Sequence, residues 1–194
     1  MSFAEDLCWG SCTTESAVRL LREAPAATPW FLQVSFMDPH PPFAVTSAMA
    51  ARVVGRRWPA SVDPGQKTQE TDVCDNQLGG VGIGTGWERC NYSVELENLD
   101  RLFGQLMGAV GSVAMTKTIV CISSDHGEMH GDHSDTAKSR PWEPSSVVPL
   151  VCAGPGTCIA PGRTVAYRSQ RSTSPGPSST SPASRRLARR SRHR

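Results

Sequence analysis

Apolar positions along the chain fall into runs of two different periods. In residues 14–23 (TESAVRLLRE), Ala17, Val18, Leu20 and Leu21 gather on a helical repeat behind a threonine suited to capping, which predicts a short helix. Residues 30–36 (WFLQVSF) form a compact aromatic and branched run ended by Asp38-Pro39, the pattern of a buried strand. The clearest element is residues 93–110, where Leu99, Leu102, Phe103, Leu106, Met107 and Val110 recur at i, i+3, i+4, i+7, i+8 and i+11 on one helix face. Glu95 and Glu97 in its first turn suit the positive end of the helix dipole, and Gly108 and Gly111 mark its end. Residues 118–123 (TIVCIS) and 147–152 (VVPLVC) are two further strand-like runs. Strand, helix, strand, strand with strands this apolar predicts an α/β fold with a largely parallel sheet and flanking helices.

Between these elements, residues 44–91 lack a steady period and read as loop. The stretch LGGVGIGTGW within them satisfies neither G-x-G-x-x-G nor G-x-x-x-x-G-K-[ST], so it is not read as a phosphate loop. From about Ala166 the chain turns to Arg, Ser and Pro without any apolar period, and no core can form there. The expected organisation is one domain over residues 1–165 and a disordered tail over residues 166–194.

Composition changes this picture in three places. The net charge of +2 conceals eight arginines between Arg168 and Arg194, where no acid occurs; residues 1–167 carry 12 basic against 18 acidic side chains, or −6. The basic character therefore belongs to the tail, and a nucleic-acid-binding arm is the lowest-ranked reading because no folded recognition motif accompanies it. No apolar run approaches the ~18 residues of a membrane span. The first twenty residues hold Glu5, Asp6 and Glu15 and no apolar leader, so the expected compartment is cytoplasmic by default. Seven cysteines without a C-x-x-C pair argue against a disulfide framework or a zinc ribbon, and Cys121 and Cys152 read as small buried hydrophobes.

Chemistry concentrates just past the strands, where open α/β sheets bind ligands. MDPHPPF after the first strand-like run carries His40; SDHGEMHGDH after the second carries Asp125 and His126; Lys138 precedes the third. Parallel strands would bring all four to one edge. Asp125 and His126 offer a carboxylate oxygen and an imidazole nitrogen to a divalent cation. With His40 and Lys138 they would make a positive pocket suited to a tetrahedral anion, with a histidine able to protonate a leaving oxygen. His126, His130 and His133 have H-x3-H-x2-H spacing, of which one ligand is expected rather than a zinc cluster.

Four blocks in order, PWFLQVSFMDPHPPF, NYSVELENLDRLFGQLM, TIVCISSDHGEMHGDHSDTAKSRPWE and VPLVCAGPG, resemble the type I sulfatases of the alkaline-phosphatase-like superfamily over roughly residues 14–165. The resemblance implies a partial alkaline-phosphatase-like fold and hydrolysis of small-molecule or saccharide sulfate esters with a divalent metal, calcium first and manganese or magnesium as alternatives. It implies that Asp125 and His126 are metal ligands, that Lys138 contacts the sulfate, and that His40 contacts the transferred group and protonates the leaving alcohol. The family nucleophile is a formylglycine made from C-x-[PA]-S-R, and that motif is absent. Ser181-Pro182-Ala183-Ser184-Arg185 matches its serine variant but lies in the low-complexity tail. The expected protein is thus a fragment with little activity alone, its alternatives a phosphonate monoester or phosphodiester hydrolase of the superfamily and a non-catalytic remnant.

Overall fold

The computed structural model describes residues 9–25, 27–59, 61–62, 74, 85–156 and 159–164. The tail, the serine match at 181–185 and most of the glycine-rich stretch lie outside these residues. The elements are α1 (Trp9–Glu23), α2 (Ser47–Ala50), α3 (Thr85–Met115), β1 (Val120–Ser123), α4 (Glu143–Ser146) and β2 (Leu150–Ala153).

α1 begins ahead of the expected threonine cap. Thr14 lies inside the helix and its hydroxyl donates to the Gly10 carbonyl at 2.8 Å, so it is a back-bonded helix residue. α1 packs against α3, which starts well before residue 93 and takes in part of the stretch read as loop. In its first turns, among the described residues, the fully buried positions are only Cys90 and the polar Asn91, too little for an apolar period, and the inward face continues through Val94 and Leu102 together with Glu95 and Asn98, all at most 2% exposed. Glu95 is therefore a buried mid-helix residue and not a first-turn partner of the dipole. Gly111 interrupts the helix with φ 76°, close to the expected end, before its last residues. α2 also falls in the supposed loop, and Thr46 caps it by accepting the Met49 N–H at 3.2 Å.

The sheet corrects the expected parallel arrangement. β1 and β2 pair antiparallel, Val120 opposite Ala153 and Ser123 opposite Leu150. A parallel return needs a crossover of a dozen or more residues, usually a helix. The connection here holds only a 3-10 turn at Asp132–Ser134 and the four-residue α4, so the chain doubles back as a loop. Residues 30–36 are extended but unpaired among the described residues. Leu32, Val34 and Phe36 alternate inward as a strand would, while Phe31 is 88% exposed.

Two disulfides overturn the reading of the cysteines. Cys74 is bonded to Cys90 and Cys121 to Cys152. Cys121 and Cys152 are exposed, and the antiparallel register places them directly opposite one another, a relation that linear spacing does not reveal. Cys74 and Cys90 lie in the core with Met49, Val53 and Val94, against which Val45 and Trp58 pack. The Trp58 indole N–H donates to Cys74 Sγ at 3.0 Å.

Candidate anion and metal site

The turn that leaves residues 30–36 is closed by His40 N–H donating to the Met37 carbonyl at 2.9 Å. His40 Nδ1 lies 2.5 Å from the Pro41 carbonyl; a carbonyl only accepts, so Nδ1 carries the proton and Nε2 presents its lone pair. Lys138 Nζ is 2.6 Å from that Nε2 and donates to it. An ammonium and an imidazole thus meet at an exposed edge, where the remaining N–H groups of Lys138 are donors for an anion's oxygens.

The segment that follows β1 is organised by its own hydrogen bonds. Asp125 Oδ1 accepts the His126 N–H at 3.0 Å, and the Ser124 hydroxyl donates to the His126 carbonyl at 2.8 Å. Slight burial raises the Asp125 carboxyl, but the amides of Asp125 and His126, the His126 ring and Ser124 together hold it below the ordinary aspartate range. His126 Nδ1 lies 2.8 Å from the Gly127 carbonyl, so by the same reasoning Nε2 is the open ring nitrogen, 3.6 Å from Asp125 Oδ2. These are two donor atoms side by side. Among the described residues no group of three or more His, Cys, Asp or Glu side chains could hold a metal ion, so the pair offers two donors to a divalent cation and does not close a shell by itself.

Between the two pairs runs a loop of unusual backbone. His130, His133, Ser134, Ala137 and Ser139 all have positive φ, between 47° and 72°, which side-chain-bearing residues adopt only when their surroundings impose it. Here those surroundings are identifiable. Met129 N–H donates to Ala137 O and Gly131 N–H to Asp135 O, each at 2.8 Å, folding the loop on itself. Arg89 of α3 then grips it, donating to the His130 carbonyl at 2.8 Å, to Asp132 Oδ1 at 3.2 Å and to the Pro59 carbonyl. Asp132 Oδ1 also accepts the Val62 N–H at 2.8 Å, so one fork joins three segments. At the loop's start, Gly127 N–H donates to the Ser145 carbonyl. A Cβ on Gly127 would stand 1.9 Å from the Pro144 carbonyl oxygen.

The structure therefore brings His40 to Lys138 and Asp125 to His126, with no hydrogen bond or ion pair between one pair and the other among the described residues. The other two histidines of the spacing pattern point elsewhere. His130 meets the Tyr92 ring edge-on at 4.3 Å, and His133 stacks on Trp142 at 4.3 Å. Burial, with the charge of Arg89 in support and Asp132 opposing, pushes His130 down to about 4. Sequence reasoning missed Arg89 and Glu95, and no local signal marks either, since a charged residue on a helix ordinarily faces water.

The chain is similar to known proteins in sequence and in fold. The family model described as Sulfatase matches residues 8–174. Mouse iduronate 2-sulfatase is 27% identical over 167 residues, which cover 74% of this chain and 30% of that enzyme. Choline-sulfatase of Rhizobium meliloti (strain 1021) is 31% identical over 154 residues, 69% of this chain and 28% of the relative. Among solved structures, the phosphonate monoester hydrolase of Agrobacterium radiobacter superposes with a TM-score of 0.63 at 26% identity, covering 79% of this chain and 34% of that one. The chain thus spans under a third of the length of these two sulfatases.

Proposed function

Because the chain belongs to the sulfatase family, we propose that it carries part of a metal-dependent site that hydrolyses sulfuric monoesters of small molecules or saccharides. The observation that supports this best is the contact of Lys138 with His40, made across 98 residues at an exposed edge. In this reading a tetrahedral sulfate group docks against the two side chains. The Lys138 ammonium offsets charge gathering on the sulfuryl oxygens, and a proton carried on His40 Nε2 passes to the alcohol oxygen as a nucleophile's bond to sulfur forms and the alcohol's bond to sulfur breaks. Asp125 Oδ2 and His126 Nε2 would supply two ligands to a divalent cation, calcium first, whose charge would polarise the same group. A complete site of this kind needs further metal ligands and a nucleophile beside these four side chains, and little turnover is expected from the four alone.

A second reading has support from the phosphonate monoester hydrolase, whose fold this chain shares in part. A phosphonate monoester presents the same tetrahedral anion, and an ammonium and imidazole do not distinguish it from sulfate.

Titration of the chain with sulfate, phenylphosphonate and calcium, followed by NMR at the four side chains, tests both. Sulfate is expected to move the signals of His40 and Lys138, and calcium those of Asp125 and His126. Loss of the sulfate response in Lys138→Ala would support the assignment. Responses confined to other residues would leave a non-catalytic remnant as the reading, and preference for phenylphosphonate would favour the second hydrolase. Release of sulfate from an aryl sulfate by the unmodified chain, abolished by His40→Ala, would mean that it contains its own nucleophile.

A further inference from the structure

Among the described residues, β1 and β2 make a two-stranded sheet with four residues to a strand. Seven of those eight residues are exposed, so neither face of the sheet is covered, and Val120 is half-buried. A strand pair this short and this wet is marginal in water, because its ladder bonds compete with solvent and it buries little apolar area. The covalent bond from Cys121 to Cys152, between directly opposed residues, is what secures it.

The same alignment continues past the ladder. Its last Cα pair is Ser123 with Leu150, and Gly127 N–H then donates to the Ser145 carbonyl at 2.8 Å. Asp125 and His126 lie between these two ties. Their segment is thus strung between a disulfide-held ladder and a backbone contact, and the register of the first sets the position of the pair.

The two disulfides among the described residues differ in access. Cys121 and Cys152 are both exposed. Cys74 and Cys90 are 1% and 2% exposed, with the Trp58 indole donating to Cys74 Sγ. Exchange requires a thiolate to reach a disulfide sulfur, so access decides which bond opens first.

We infer that Cys121–Cys152 is a thiol-exchange site for a small monothiol of the glutathione type, and that its opening releases the segment carrying Asp125 and His126. In the first step the incoming thiolate bonds to one cysteine sulfur, the Cys121–Cys152 bond breaks, and the other cysteine leaves as a thiolate that takes up a proton. A second monothiol, also as its thiolate, attacks the mixed disulfide at the small thiol's sulfur and frees the remaining cysteine, which is protonated in turn. Two electrons pass to the protein, and the two small thiols leave joined as their own disulfide. Without the crosslink the exposed ladder loosens, and the segment keeps only its tie at Gly127. Cys121 and Cys152 are then positioning residues for Asp125 and His126, whose own role rests on the proposed function.

The test uses the full chain with its free thiols first blocked by N-ethylmaleimide. It is equilibrated with glutathione at graded ratios of the reduced to the oxidised form, and the cysteines set free are alkylated with iodoacetamide and mapped by mass spectrometry. Cys121 and Cys152 are expected to be released together, through a glutathionyl adduct on one of them, at ratios that leave Cys74–Cys90 closed. Amide hydrogen exchange over residues 119–127 and 148–153 should rise in that form and fall again on reoxidation. A Cys121→Ser and Cys152→Ser double variant should exchange as the reduced chain does and lose the response to glutathione. Should that variant fail to fold, redox cycling of the wild-type chain decides alone. Opening of Cys74–Cys90 at the same ratios or before, or hydrogen exchange indifferent to the state of Cys121–Cys152, would overturn the inference. The calcium-dependent shifts of Asp125 and His126 should also weaken on reduction. Calcium that moves neither residue in either redox state would sink the functional reading and leave the thiol-exchange site standing.

Discussion

Lys138 Nζ donates to His40 Nε2 at 2.6 Å, joining a turn near the start of the chain to a loop 98 residues later. Neither residue is distinctive alone. A lysine in a polar loop and a histidine among prolines are ordinary surface residues, and only their meeting sets a cationic donor beside an imidazole at one exposed edge. The tautomer follows from the partners, since the Pro41 carbonyl requires a proton on Nδ1. Nitrogen-15 spectra of His40 are expected to report the Nδ1–H form, and Lys138→Met to shift the Nε2 resonance. A histidine in the Nε2–H form would contradict the geometry.

Arg89 is the anchor of the loop that delivers Lys138. Its side chain is 13% exposed and that of Asp132 is 17% exposed, so removing the guanidinium leaves a nearly buried carboxylate without its charge partner and takes a donor from the His130 and Pro59 carbonyls. Arg89→Ala is expected to cost about 3 kcal/mol in urea unfolding and to open residues 127–139 to proteolysis. Arg89→Lys is expected to recover only part of this, because one ammonium cannot span all three acceptors.

The close approach of Gly127 to the Pro144 carbonyl makes Gly127→Ala a test of how tightly the segment after His126 is held. Backbone must move to admit the methyl group, for a loss of about 1–3 kcal/mol. Calcium-dependent shifts at Asp125 and His126 should weaken in this variant, as read by NMR.

Stability is expected to depend on pH through two buried groups with opposite signs. Glu95 binds its proton more tightly in the fold, at about 8 against 4.5, so stability falls as pH rises across that interval. His130 binds its proton less tightly, at about 4 against 6.5, so stability falls as pH drops from 6.5 towards 4. The slopes oppose each other between 4.5 and 6.5, and beyond that window each acts alone. Urea midpoints should decline on both sides. Glu95→Gln should flatten the alkaline limb and leave the acid limb in place.

Reduction of Cys74–Cys90 removes a crosslink across 16 residues in the core. A loop of that length is worth about 3 kcal/mol of unfolded-state entropy. Thermal unfolding of a Cys74→Ala and Cys90→Ala double variant should show that loss, and the Cys121–Cys152 bond of the exposed sheet should contribute separately.

The exposed apolar side chains carry their own expectation. Phe31 on the unpaired extended run, Ile119 and Ile122 at β1, and Leu150 and Val151 on β2 are between 42% and 88% exposed. Open strand edges with such side chains associate. Sedimentation of the isolated chain is expected to find self-association that a Phe31→Lys and Val151→Lys variant reduces; a monodisperse monomer would contradict it.

What could be read from the sequence alone was local and compositional. The apolar period announced α1 and the later part of α3, the β-branched runs announced β1 and β2 to within three residues, and the motif blocks announced the family that residues 8–174 match. Such features depend on neighbours in the chain, and the chain displays them directly. Strand direction, the Cys121–Cys152 bond, the inward turn of Asn91, Glu95 and Asn98, and the grip of Arg89 were decided by tertiary structure. Each depends on what stands opposite a residue in space: a strand reads the same in either direction, and a charged helix residue has the same one-letter code whether it faces water or a buried carbonyl.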